Sequence, residues 1–227
     1  FMDKIQLFTQ ASIFAHLDQD EINSLVEMAQ IRHYYAGEWI VQYGDVWPFL
    51  FFIKSGEVTA LKESFEGRSL FLTSLRKGDV FLGLAIFIQD APMPASLEVS
   101  KDSELMLWSH ESILPLLLKN GRFSWELSRL MIQRVQLASE IVEKLAFQPV
   151  GGRLARLLVE FAGNTSQGPI ARNLTLDEMA ARIGSTREVV CRFLHRFSDQ
   201  GLIEITRTEF SITNRKGLED FSKQVKG

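Results

Sequence analysis

Three side chains near the C-terminal end have the chemistry needed to read the edges of DNA bases. Arg187, Glu188 and Arg192 are spaced so that all three project from the N-terminal half of one predicted helix. An arginine can donate two hydrogen bonds to guanine O6 and N7, and a carboxylate can accept one from the cytosine N4 amino group. Such a helix suits the major groove of DNA. For the two arginines, the alternative is a solvated basic surface.

The remaining residues of this helix divide between an apolar face and a DNA-facing side. The apolar face is expected to contain Val189, Val190, Phe193, Leu194 and Phe197. The DNA-binding residues are expected to be the three readers together with Thr175, Ser185, Thr186, Cys191 and Arg196. Cys191 is interpreted as a small residue on the DNA side. Arg196 is interpreted either as a phosphate contact or as a plain surface charge. A phosphate contact positions the protein on DNA but does not distinguish its base sequence.

Capping signals predict two short helices here. Thr175 and Glu178 have the spacing of a capping box, in which the two residues satisfy each other's backbone N–H groups. Gly184 follows the first helix at the position where a residue in the left-handed backbone conformation commonly ends a helix. Ser185 and Glu188 resemble a second capping box, so Glu188 has capping as an alternative to base reading. Two short helices joined by a glycine-containing turn form a helix-turn-helix, and residues 202–206 and 209–213 resemble a two-stranded wing.

A long helix is predicted over residues 122–147, where apolar residues recur at steps of three and four. Its apolar stripe is wide, which favours a helix that contacts both its own domain and a second copy of itself, although packing on its own sheet alone remains an alternative. The predicted dimer interface contains Leu127, Leu130, Met131, Arg134, Val135, Ala138, Ile141, Val142 and Leu145. Pro149 breaks the helix and marks a boundary.

Residues 31–109 have the pattern of short strands separated by glycines about every ten residues, which predicts a sandwich, barrel or roll. The candidate strands are 31–35, 39–42, 49–54, 57–62, 69–75, 95–99 and 104–108, with a hairpin tip at Glu66 and Gly67. Helical spacing is expected before them, over residues 5–30. The predicted domains are therefore a sensor domain over 1–119, a dimerisation helix over 120–148 and a DNA-binding domain over 149–227.

Composition and charge agree with this division. Residues 1–149 carry 13 Lys and Arg against 19 Asp and Glu, whereas residues 150–227 carry 12 against 9, so an anionic partner is expected for the C-terminal part. The single cysteine excludes a disulfide framework and multi-cysteine metal sites. We find no apolar run long enough to span a membrane and no secretory signal at the start, so a cytoplasmic protein without a membrane partner is expected.

Several motifs along the chain resemble the Crp–Fnr family of bacterial transcription regulators. The matching segments are residues 37–45, 50–58 and 77–81 in the N-terminal part and 185–192 in the C-terminal part. The resemblance implies an α+β fold with an N-terminal jelly-roll-like β-roll, a long dimerisation helix and a C-terminal winged helix-turn-helix. It also implies a homodimer, base reading of a TGTGA-like half-site by Arg187, Glu188 and Arg192, and contact with RNA polymerase if the protein is an activator.

The segment that corresponds to the family's cyclic-nucleotide cassette lacks its charged residues. Cyclic-nucleotide-binding members carry a Gly-Glu-Leu turn and an Arg-Ser pair, where this chain has Leu82, Gly83 and Leu84, and then Met93 and Pro94. Burying a phosphate without a cation is costly, and no arginine lies between Lys77 and Lys101. The residues therefore argue against cyclic AMP as the effector. The apolar segment could line another pocket, hold a haem through His16, His33 or His110, or be packed shut.

Other classes of function have less support in the sequence. We find no nucleophile elbow, phosphate-binding Walker loop or paired His/Glu metal motif, so an enzyme is not expected. A nucleotide-sensing module that regulates a partner protein would fit the β-roll but not the base-reading helix. Within the regulator class, a ligand-gated protein and a constitutive DNA-binding protein both remain open.

Overall fold

A computed structural model describes residues 11–64, 66–163, 168–206 and 208–223. The described chain forms two compact units. The first unit runs to Lys62 and continues over Leu72–Leu137, and the second contains Glu63–Phe71 and the residues from Ala138 onward. None of the described helices is long and apolar enough to cross a membrane. The predicted α+β class is confirmed.

The first unit contains an antiparallel sheet. Its strands are β1 (Gln30–Tyr34), β2 (Trp39–Val41), β3 (Phe49–Glu63), β4 (Ser69–Arg76), β5 (Val80–Leu82) and β6 (Ser96–Ser109). The strand order is β1-β6-β3-β4, with β2 also paired to β6 and β5 to β3. Phe51, on β3, pairs with Leu107 on β6 and with Phe81 on β5. This arrangement places long, mostly apolar strands at the centre of the unit.

Strands β3 and β6 are each longer than the sequence predicts. Residues 49–54 and 57–62 were expected as two strands but form one, with shifts in register between Ile53 and Val58. Gly56 lies at these shifts with a φ of +94°, and a Cβ there would overlap Ser103 on β6. Glycine can mark a bulge within a strand as well as a turn between strands, which is why its spacing was misleading here.

Helices cover one side of this sheet. They are α1 (Gln19–Met28), α2 (His110–Lys119) and the long α3 (Gly121–Phe147), and a short 3₁₀ turn occupies Leu84–Ile86. Trp108 donates a 2.7 Å hydrogen bond from Nε1 to the Leu25 carbonyl, which anchors α1 to β6. The ring of Phe14 stacks on Phe123 at 6.0 Å. The helix predicted over 5–30 is confirmed only over α1, because residues 11–16 form turns and 5–10 lie outside the described residues.

The second unit contains the predicted winged helix-turn-helix. Its elements are α4 (Val150–Ala162), β7 (Ile170–Ala171), α5 (Leu176–Ile183), α6 (Arg187–Asp199), β8 (Ile203–Ile205), β9 (Glu209–Ile212) and α7 (Arg215–Ser222). The strands form a small sheet in the order β7-β9-β8, so the predicted wing is confirmed. Leu154, Val190, Phe197 and Leu218 are fully buried in the core between these elements.

We expect Gly83→Ala to lower the free energy of unfolding of the first unit by about 1–3 kcal/mol, a range typical of overpacked cores. The reason is steric, because a Cβ at Gly83 would overlap the backbone carbonyl of Trp47, which cannot rotate away. Chemical denaturation followed by tryptophan fluorescence measures the change. Gly121→Ala is the matched control, since a Cβ there meets nothing within 4 Å. Equal stability of the two variants would contradict the close approach.

Candidate nucleic-acid interface

The two helices of the helix-turn-helix begin and end at the residues that the sequence singled out, with one exception. Thr175 caps α5 in a complete capping box with Glu178, and Gly184 ends it in the left-handed conformation at φ 59°. The second predicted box is wrong. Thr186, rather than Ser185, is the N-cap of α6, because its hydroxyl accepts the Val189 N–H at 3.5 Å. Glu188 therefore lies one residue too early to be the box partner.

A buried arginine fixes the turn between the helices. The Arg153 side chain, on α4, donates 2.7 Å and 3.4 Å hydrogen bonds to the carbonyls of Ile183 and Gly184, and a 2.6 Å bond to that of Gln148. Burial lowers the pKa of Arg153 from its usual value. No signal in the sequence indicates this role, because an arginine in a predicted helix is usually a surface charge.

The base-reading candidates lie together on an open surface of the second unit. We call this surface the reading face, and it surrounds a depression of about 770 Å³ lined by Leu176, Arg187, Glu188, Cys191, Arg192, His195, Arg196 and Asp199. Five of the eight predicted DNA-binding residues are therefore brought together. Of the other three, Thr175 and Thr186 cap the helices and Ser185 lies in the turn. Sequence reasoning did not predict Leu176 or Asp199 at this surface.

Arg187 has a weak partner on the reading face. Its Nη1 lies 3.2 Å from an Asp177 carboxylate oxygen, and the two side chains are 60% and 68% exposed. Ion pairs this exposed contribute little to stability. Arg187 can therefore leave Asp177 for a guanine at small cost.

Glu188 remains charged at neutral pH. Its own backbone N–H and the Thr186 hydroxyl donate to its carboxylate, which lowers its pKa from the usual value. An ionised carboxylate only accepts hydrogen bonds, so Glu188 can pair with an amino group such as cytosine N4. The hydrogen bond with Thr186 is thus compatible with base reading by Glu188.

Three further side chains of α6 lie on the reading face. The Cys191 Sγ lies 3.7 Å from Nδ1 of His195, one helical turn away. Arg196 is exposed, and its guanidinium lies 5.7 Å from the centre of the Phe221 ring. That contact orients Arg196 while leaving its N–H groups available at the surface.

The hairpin tip between β3 and β4 lies against the helix-turn-helix within the second unit. The Arg182 guanidinium, at the end of α5, lies 4.1 Å from the centre of the Phe71 ring. Leu70 and Leu145 are the nearest side chains to Gly184. These contacts pack against the turn, and they were not predicted.

The predicted dimer residues of α3 are divided between two faces of the helix. Leu127 is buried and Leu130 and Met131 pack against the core of the first unit. Arg134 points to its own β-roll, donating a 3.4 Å hydrogen bond to the Val80 carbonyl, and burial lowers its pKa. Ile141 and Leu145 are half-buried, whereas Val135, Ala138 and Val142 are exposed.

The predicted effector residues are not brought into one pocket. Leu82 and Met93 are buried in two separate apolar clusters, with Met93 only 1% exposed. Gly83 is buried against Trp47, while Leu84 and Pro94 lie at the surface. Among the described residues of the first unit, Glu126 is the one fully buried charged side chain, and Arg134 on α3 is half-buried.

The candidate haem ligands do not converge. His16 and His33 are exposed, and Nδ1 of His110 lies 2.6 Å from the Ile86 carbonyl. No group of three or more His, Cys, Asp or Glu among the residues described is arranged to hold a metal ion.

Two family models match the chain. Residues 31–120 match the cyclic nucleotide-binding domain, and residues 152–221 match the Crp-like helix-turn-helix domain. The chain is 29% identical over 177 residues to the cAMP-activated global transcriptional regulator CRP of Salmonella typhimurium, covering 76% of this chain and 84% of that protein.

Solved structures have the same fold. A Crp–Fnr family transcriptional regulator from Eubacterium rectale superimposes with a TM-score of 0.78 at 23% identity, over 95% of this chain and 100% of that one. The c-di-GMP-responsive global regulator CLP of Xanthomonas campestris has a TM-score of 0.74 at 20% identity, over 86% and 99% of the two chains. The two family models, which together match most of the chain, and the sequence similarity to CRP show that the chain belongs to the Crp–Fnr family of DNA-binding transcription regulators.

Proposed function

We propose that the protein is a cytoplasmic, dimeric regulator that binds a pseudo-palindromic DNA site and reads a TGTGA-like half-site through Arg187, Glu188 and Arg192. The reading face is the observation that supports this proposal most directly. It holds two guanidinium groups and an ionised carboxylate on one open surface at the N-terminal half of α6. The chemistry of these groups matches guanine and cytosine edges in the major groove.

The exposed face of α3 supports dimerisation. Trp125, Ile132, Val135 and Val142 are all more than half exposed, which is unusual for large apolar side chains. With Ser128, Ser139 and Ala146 they recur at alternating steps of three and four, the spacing of a coiled-coil seam. A second copy of α3 would bury this seam. Two such chains would place their α6 helices about one turn of DNA apart.

The effector is proposed to be something other than cyclic AMP, or absent. Met93 takes the position of the cassette arginine and fills the apolar interior of the roll instead of facing a ligand. A cyclic phosphate beside Met93 would lack the cation that the cassette arginine supplies, and burying it unpaired would be costly. Relatives of this fold differ in effector, since one is described as cAMP-activated and another as c-di-GMP-responsive. A constitutive regulator with its pocket filled by its own side chains is the alternative that the packing of Met93 favours.

We expect Arg187→Ala to weaken specific DNA binding by about 1–3 kcal/mol and to relax base preference at one position of the half-site. Fluorescence anisotropy on a TGTGA-N6-TCACA duplex, with a scrambled duplex as reference, measures both effects. The loss of a bidentate contact to guanine is the physical reason. Equal weakening on the scrambled duplex would show that Arg187 contacts phosphate instead. Absence of any preference in the wild-type protein would contradict the proposed half-site.

We expect Val135→Asp to yield a monomer, because the substitution places a charge in the middle of the proposed seam. Multi-angle light scattering measures the mass, and Gln136→Asp, on an exposed position beside the seam, is the control. Leu130→Asp should instead unfold the first unit, since Leu130 packs against its core. A persistent dimer of Val135→Asp would refute this interface.

Cyclic AMP is expected to leave specific DNA binding unchanged. The anisotropy titration is repeated with and without saturating cyclic AMP, on the same duplex. A sharp increase in DNA affinity would contradict this prediction. It would mean that the interior around the buried Met93 opens to admit the nucleotide.

A further inference from the structure

A short connection joins the proposed dimer helix to the DNA-binding elements. The helix α3 ends at Phe147 and α4 begins at Val150, with Gln148 and Pro149 between them. The Gln148 N–H still donates a 3.1 Å hydrogen bond to the Lys144 carbonyl, which continues the helical pattern up to the connection. Pro149 is extended, and the chain then enters α4. The direction of α4 relative to the end of α3 therefore depends on what holds this connection.

The buried guanidinium of Arg153 joins the ends of two helices. Its Nη1 donates to the carbonyl of Gln148, at the end of α3, while Nε and Nη2 donate to those of Ile183 and Gly184, at the end of α5. The last carbonyls of a helix have no partner within it and carry partial negative charge. The donors of a guanidinium form a fixed planar fork, which suits carbonyls from both helices at once. One side chain thus links the end of α3 to the turn of the helix-turn-helix.

Close packing strengthens the same link. Leu145 lies in the last turn of α3, and a Cβ at Gly184 would overlap its side chain. Gly151 lies in the first turn of α4, and a Cβ there would overlap the Phe193 ring on α6. Contacts this close leave little freedom for one element to rotate against the other. The end of α3, the start of α4 and the helix α6 therefore form one block within the second unit.

Such a block would fix the separation of the two α6 helices in the proposed dimer. The proposed seam includes the exposed Val142 and Ala146, within two turns of Gln148, so pairing of α3 would reach almost to the connection. One base pair added between two half-sites moves one of them by about 3.4 Å along the DNA and rotates it by about 35°. A rigid connection cannot follow that change, whereas a loose connection can.

We propose that Arg153 is a positioning residue that sets the spacing between the half-sites that the dimer accepts. The proposal rests on the proposed function, because it needs a dimer that reads two half-sites. The bonds to Ile183 and Gly184 hold the turn from which α6 leaves, and the bond to Gln148 fixes that turn relative to the end of α3. Without this side chain the connection is loose, and the two α6 helices reach half-sites at several separations.

The test uses a series of duplexes from TGTGA-N4-TCACA to TGTGA-N8-TCACA, and fluorescence anisotropy gives the affinity of the full-length protein for each. The wild type should bind roughly ten-fold more weakly when the best spacer is changed by one base pair, because the DNA must deform to restore the register. Arg153→Gln should reduce this difference to about three-fold or less, because a loose connection follows the half-site. Equal weakening on every duplex would show that Arg153 only supports the fold, and would overturn the proposal.

Two further variants sharpen the comparison. Arg156→Gln is the matched control, because it removes the same charge from a half-buried position on the same helix. It should keep the spacing preference of the wild type. Arg153→Lys keeps the charge, but a single ammonium lacks the planar fork that binds carbonyls at both helix ends. Its spacing preference should lie between those of the wild type and Arg153→Gln.

The unfolding temperature and the mass from light scattering establish that each variant is folded and dimeric, and Arg153→Lys carries the test if Arg153→Gln does not fold. A folded variant at position 153 that keeps the full spacing preference overturns the proposal. A wild-type protein that binds these duplexes specifically, but all spacers equally, overturns it and leaves half-site reading intact. No preference over a scrambled duplex would contradict the proposed function itself, and the spacing proposal with it.

Discussion

The geometry of the reading face depends on the three hydrogen bonds of Arg153. A turn between two short helices leaves backbone carbonyls without helical partners, and burying them unpaired is costly. Arg153 donates hydrogen bonds to the carbonyls of Ile183 and Gly184, and these bonds hold the turn in one conformation. The direction in which α6 leaves the turn follows from that arrangement. Arg187, Glu188 and Arg192 are therefore positioned by a buried residue on another helix.

The interior of the β-roll, by contrast, is stabilised by close packing of apolar side chains rather than by hydrogen bonds. Phe51, Ile53, Leu97 and Leu107 are fully buried, and Met93 fills the remaining space among them. Close packing of this kind leaves little room for a ligand unless side chains move. Under the proposed function, the apolar side chains at the positions of the cassette add to the core instead of binding a charged effector.

Local signals allowed much of this to be predicted from the sequence. The capping box at Thr175, the glycine at 184 and the apolar spacing of α6 each depend on neighbouring residues, and each was found in place. Apart from the second capping box, which was misplaced by one residue, the features that could not be predicted depend on distant contacts. Gly56 could not be recognised as a bulge, because the partner that makes it one is Ser103 on another strand. The role of Arg153 likewise depends on carbonyls some thirty residues away.

The long helix shows why periodicity alone does not separate residues that pack on their own unit from those of the proposed dimer interface. A helix that packs on its own unit and also on a second copy carries apolar residues on two faces, and their positions merge into one wide stripe in the sequence. The structure separates them, because Phe123, Leu127 and Leu130 pack inward whereas Ile132 and Val135 remain exposed. The exposed set has the 3.5-residue repeat of a coiled coil, and the inward set is fixed by the core. Burial by the chain's own fold is thus the information that separates the two faces, and one sequence does not contain it.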